Sequence, residues 1–333
     1  MQQSVFIAIT EHYLLYYMVL QFRPCVSWHV AMEAASLENL RVLYQSNDFI
    51  VVNKHWDIRI DSKMWYEKQT VQSQLRHRFP ELADPETYYG FRFCHQLDFS
   101  TSGALCVALN RAAAGQAYRC FKDRLVTKAY LALVRGILER KRTTLDFAIG
   151  KNTSEGRTHM MCVEGTEGCE NPKPCQTVLT VLEYGSYDGD PVTKVLLQPL
   201  TGRTHQLRVH CSAIGHPIVG DFTYSLRTDS APYRMMLHAY LLDVPLEGEP
   251  IHVTAPDPFL PTLDTKWVPQ HLVQSLEGAL ESLLESRGDQ CDRENDLKTM
   301  GEPPGKDVSR ASPLETEEQS VQCQQWLCEW ALD

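Results

Sequence analysis

The 333-residue chain contains no CxxC pair, no unbroken apolar stretch of membrane-spanning length and no excess of basic over acidic residues. Each absence removes a class of protein. Eleven cysteines, an odd number at irregular spacings, argue against a disulfide framework and for reduced thiols in an intracellular compartment. Cys162, Cys169 and Cys175 stand too far apart for a zinc knuckle, so no metal is expected. The run YLLYYMVL, residues 13–20, has eight apolar residues where a membrane helix needs about 20. Glu11 precedes it and no basic segment opens the chain, which does not fit a secretory signal. Residues 1–37 are therefore expected to form a poorly structured extension, with Met32 a second candidate start.

The missing basic excess is less decisive once the charge is divided along the chain. Of 42 acids and 32 bases, 14 and 5 lie in residues 277–333, leaving 28 and 27 in the body. Within that near-neutral body, residues 111–142 hold nine bases and two acids. A basic surface able to meet RNA phosphates is thus compatible with a net charge of −10.

Hydrophobic patterning gives the organisation. RVLYQSNDFIVVNK, residues 41–54, predicts two strands around a polar turn, and ALCVAL, residues 104–109, a buried strand. Residues 110–125 place Ala113, Ala117, Cys120 and Phe121 at helical spacing behind the cap candidate Asn110. TKAYLALVRG, residues 127–136, returns to strand alternation. Residues 150–173 predict an insertion or long hairpin loop. TVLTVLEY and PVTKVLLQPL predict an antiparallel pair joined through GSYDGD, and THQLRVHCSAIG a short helix ended by Gly215 and Pro217. Further strands are expected in MMLHAYLLDVP and PIHVTAP. Residues 287–333 are expected to be a disordered acidic tail. Trp326, Leu327, Trp330 and Leu332 form a short terminal helix candidate there, which either docks, for example on a protein partner, or frays.

The chemistry concentrates in HQLDFSTSG, residues 95–103, where one carboxylate, Asp98, sits among small hydroxyl residues with no second acid beside it. This stretch resembles the HRLDxxTSG signature of RluA-type RNA pseudouridine synthases. FIVVNK, TKAYLALVRG and PLTGRTHQLRVHCSAIGHPIVGD match that family in the same order, over roughly residues 38–256. The resemblance implies an isomerase that converts uridine in RNA to pseudouridine without a cofactor. It also implies an α+β fold: a mostly antiparallel mixed sheet with flanking helices and a central active-site cleft, as one catalytic domain over residues 38–286. No room precedes residue 38 for the small RNA-binding domain many relatives carry.

By the same resemblance Asp98 is the catalytic carboxylate, acting as nucleophile toward ribose or uracil or as base on a ribose proton. Tyr130 is the active-site tyrosine whose ring lies against the flipped base, and Arg208 the cation paired with Asp98. Thr101, Ser102 and Gly103 are expected to form a loop small enough for the RNA backbone to approach, and Lys128 to contact a phosphate. Arg203 and His205 join the expected substrate-binding set, with Arg92 upstream. The family's arginine after the motif histidine is Gln96 here, which loses one charge; Arg92 is a candidate replacement. NKHWD replaces a lysine-proline-glycine turn. A catalytically weakened RNA-binding protein is the alternative. Nucleoside hydrolysis would need a second carboxylate, for which Asp221 was the neighbouring candidate, although it reads better as a turn residue.

Overall fold

The computed structural model describes residues 33–63, 67–87 and 90–285; residues 1–32 of the expected 1–37 extension and the expected 287–333 tail lie outside the described residues. The first strands are β1 (Arg41–Gln45) and β2 (Phe49–Lys54), then helix α1 (Val71–Arg78), strands β3 (Arg92–Phe93) and β4 (Ser102–Ala108), helix α2 (Arg111–Lys122) and β5 (Thr127–Arg135). Next come β6 (Arg142–Leu145), β7 (Ile149–Asn152), β8 (Met161–Val163), β9 (Cys169–Lys173), β10 (Thr177–Tyr187) and β11 (Asp190–Pro199). Helix α3 (Gln206–Ala213), β12 (Leu237–Val244), β13 (Ile251–Thr254), β14 (Trp267–Leu272) and a last helix α4 over 276–285 complete the described chain.

Eleven strands form one sheet whose central path runs β1-β2-β4-β12-β5-β11-β10-β14. Every pairing in it is antiparallel except β4 with β12. The expected α+β mixed sheet is therefore present. β2 and β4 read as unbroken apolar runs because both faces are covered. Ile50, Val52, Leu105 and Val107 join the main core, while Phe49, Val51, Ala104, Cys106 and Ala108 pack with Ala113, Ala117 and Cys120 of α2 on the other face. Truncating a wholly buried side chain such as Leu105 to alanine would cost about 2–5 kcal/mol.

Local chemistry sets the boundaries. Asn110 caps α2 by accepting the Ala113 N–H at 2.9 Å. α3 ends with Gly215 at φ +82°, where Gly215 N–H bonds Ser212 O and His216 N–H bonds Cys211 O, closing the last turn. The β10–β11 hairpin is tighter than expected. Tyr187 pairs with Asp190, so only Asp188 and Gly189 turn, both at positive φ. Residues 150–173 are not a plain loop either: β7, β8 and β9 make a separate three-stranded sheet.

The parallel pair corrects one expectation about the catalytic stretch. Ser102 and Gly103 belong to β4, opposite His238 and Ala239. A Cβ at Gly103 would collide with the Ala239 backbone, so its smallness serves strand pairing. Ser102 is buried, accepting from Arg234 Nη2 at 2.6 Å and bonded to His238 Nδ1 at 2.7 Å.

Candidate active site

Asp98 leads into a tight turn at the start of β4, closed by Thr101 N–H donating to Asp98 O at 3.1 Å. The turn is pinned from behind by Lys54, the last residue of β2. Its buried ammonium donates to the carbonyls of His55, Phe99 and Thr101 at 3.0, 2.9 and 2.8 Å. Burial lowers the Lys54 pKa to about 7, against the opposing pull of the Asp98 charge.

Arg208 reaches this turn from α3. Its Nη1 donates to Asp98 Oδ2 at 3.2 Å, which delivers the expected pairing. A larger share of the guanidinium is committed elsewhere: Nε and Nη2 donate to Asp221 Oδ2 and Oδ1 at 2.8 and 2.9 Å, a two-pronged bond. Its carbon lies 4.9 Å from the centroid of the Tyr224 ring. Burial alone would lower the Arg208 pKa, but Asp221 and then Asp98 raise it on balance, so the group stays cationic. Asp221 also takes the Tyr224 N–H, so it is a turn former and the anchor of Arg208 together. The side chain of Asp221 is wholly buried, whereas that of Asp98 is 27% exposed. Among the described residues no donor reaches Asp98 Oδ1. One carboxylate oxygen is held and the other is left to solvent.

Asp98 lines a cleft of about 900 Å³. Arg59, Lys122, Arg124, Lys128, Arg203 and Arg208 line it against the carboxylates Asp61 and Asp98. The local basic surface therefore converges on the acid. Tyr130, 9% exposed on β5, lines the cleft, and burial followed by the Asp98 charge raises its phenol pKa, so the hydroxyl keeps its proton. Lys128 lines it two residues away, its Nζ 5.9 Å from the Phe121 ring and its pKa lowered to about 8 by burial.

Gln96, Thr101, Arg203 and His205 also line the cleft. Arg203 Nη2 donates to Pro174 O at 3.3 Å, while its buried Nε has no protein acceptor among the described residues. His205 Nδ1 meets the Tyr224 hydroxyl at 2.9 Å. Two expected residues fall outside: Arg92 on β3 is ion-paired with Asp84, and Ser102 sits in the interior. Asp221 is absent from the cleft lining, and Asp61, whose pKa burial raises, is the other carboxylate there. Lys54, Asp61 and Tyr224 were not among the expected site residues. A lysine ending an apolar run hints at Lys54, but only its burial shows what it holds.

Residues 48–213 match the family model described as RNA pseudouridylate synthase. The chain is 74% identical over 302 residues to RNA pseudouridylate synthase domain-containing protein 1 of Danio rerio, covering 91% of this chain and 100% of that protein. It is 32% identical over 224 residues to the dual-specificity RNA pseudouridine synthase RluA of Escherichia coli, covering 66% of this chain and 94% of RluA. Among solved structures, human RNA pseudouridylate synthase domain containing 1 superposes with a TM-score of 0.69 at 61% identity, over 75% of this chain and 97% of that one.

Proposed function

The chain belongs to the RNA pseudouridylate synthase family of RNA isomerases, and from that premise we propose that Asp98 acts on the target uridine while Arg208 and Tyr130 complete the catalytic set. The carrying observation is the carboxylate held through one oxygen by Arg208 and lining a basic cleft. Pseudouridine formation breaks the bond from uracil N1 to ribose C1′ and makes one from uracil C5 to the same carbon. The C5 proton leaves, N1 gains one, and no water or electron is consumed. Asp98 Oδ1 is the atom placed to attack the sugar or base, or to take a ribose proton. Arg208 keeps the carboxylate charged and fixes its direction. Asp221 in turn fixes Arg208, which makes it a positioning residue.

The Tyr130 ring offers a face to the displaced uracil and its protonated hydroxyl a donor. Phosphates of the strand are met by Lys128 and by Arg203, whose buried Nε lacks an acceptor until one arrives. Gln96, Thr101 and His205 complete the contact surface, and the catalytic domain runs over residues 38–286. We place the protein inside the cell, where its described cysteines, none of them in a disulfide, would stay reduced; no helix among the described residues is long and apolar enough to cross a membrane.

A site-resolved pseudouridine map of RNA from cells lacking the protein, rescued with wild type or Asp98→Asn, tests this. Sites are expected to vanish and to return with wild type alone; rescue by Asp98→Asn would remove Asp98 from the mechanism. Asp61 favours one competing chemistry, hydrolysis by a carboxylate pair. Release of free uracil by the purified protein would establish that reading instead.

A further inference from the structure

The reaction above leaves one cleft residue beside the carboxylate without a task. Phe99 follows Asp98 directly and is 49% exposed. Of the large apolar side chains lining the cleft, it and Leu200 are the exposed ones among the described residues. A scattered apolar side chain on a surface is ordinary. Phe99 differs in its setting. Its carbonyl is held by Lys54 at 2.9 Å within the Asp98–Thr101 turn, so the ring projects from a fixed backbone. The guanidinium carbon of Arg59 lies 5.8 Å from the ring centroid, and Arg59 is itself tied through Nε to Glu67 Oε1 at 2.8 Å.

An exposed aromatic ring with a guanidinium against it, in a cleft where six cations outnumber two carboxylates, matches an unpaired nucleobase on a phosphate strand. We propose that Phe99, supported by Arg59, is a stacking platform for the nucleobase next to the target uridine. The proposal rests on the RNA pseudouridine synthase reading. Phe99 adjoins Asp98 in the chain, with Cα atoms about 3.8 Å apart, and lines the same cleft, so a base on its ring comes from the strand close to the target nucleotide. Every base has a π-face, so the platform selects unpaired RNA over duplex with little regard to sequence.

The probe is a short oligouridylate carrying one 2-aminopurine, either adjacent to a central uridine or remote from it, bound to the full chain. Stacking on an aromatic ring quenches this fluorophore. Wild type is expected to quench the adjacent probe more than the remote one. Phe99→Ala should abolish that difference and weaken binding about tenfold. Phe99→Trp should restore both, whereas Phe99→Leu, which keeps apolar surface without a ring, should restore neither. Wild-type affinity and quenching in Phe99→Ala, full restoration by Phe99→Leu, or no oligouridylate binding by wild type would each overturn the platform. Pseudouridine formation, assayed in parallel, keeps the two ideas apart. Phe99-dependent quenching in a chain that modifies no RNA would retain the platform and remove the synthase reading.

Discussion

The floor and the rim of the cleft are built on opposite principles. At and beneath the floor, Asp98, Arg208 and Asp221 answer one another's charges, and Lys54 commits two of its three donors to the turn and the third to the His55 carbonyl. On the rim, Lys122 and Arg124 are exposed, and Phe99 and Leu200 present apolar surface to water. Groups whose mutual geometry matters are fixed when the chain folds, and their desolvation is offset within the fold. Groups that must meet a flexible strand are left unsatisfied until it arrives.

The sharpest way to break this contrast is Asp221→Ala, which strands a buried guanidinium without its main partner. It should destabilise the protein by about 3–5 kcal/mol in urea unfolding, whereas the rim variant Arg124→Ala should stay within about 0.5 kcal/mol. Equal costs would show that the floor is not held by this pair.

Acid gives a second effect, similar in size across two pH units. His95 and His238 are buried, and burial, aided by Lys128 and Arg234 respectively, lowers both pKa values to about 3 from 6.5. Between those values the unfolded chain binds protons that the native state refuses. Stability should therefore fall as pH drops below about 6.5, by about 1.4 kcal/mol per pH unit for each histidine. His238→Asn should reduce the measured slope by about 1.4 kcal/mol per pH unit between pH 6 and 4, and an unchanged slope would exclude His238 as a source. The rim offers the smallest test. Gln96→Arg adds a cation to the lining and should strengthen RNA binding, steepening its salt dependence by about 0.7 in logarithmic slope for a single strand. No change would mean that Gln96 lies off the path of the backbone.

Much of this was legible in the sequence where a residue's role is local. Asn110, Gly215 and the unbroken apolar runs of β2 and β4 declare themselves as a cap, a helix end and buried strands. Asp98, Tyr130 and Arg208 stood out by family resemblance, and the fold brings Asp98 to Arg208 as expected. What escaped depends on contacts between distant segments. Asp221 looked like a turn residue because it is one; its grip on Arg208 appears only when α3 packs beside that turn. Gly103 looked like a loop residue because the strand that crowds it, β12, lies more than 130 positions away. Arg92 looked free to serve the RNA because Asp84, eight residues upstream, has no periodic relation to it.

The parallel pairing of β4 with β12 also governs when the site can exist. Gly103 and Ala239 must meet before the Asp98 turn has a wall behind it, and Arg208 and Asp221 lie in the chain between them. At a synthesis rate of about 5–20 residues per second, the nascent chain waits roughly 10 s between making Asp98 and making Arg208 and Asp221. Until then Asp98 is a carboxylate on an unfinished sheet. The Asp98–Arg208–Asp221 arrangement is thus completed only late in synthesis, by residues that follow strands β4 to β11 in the chain.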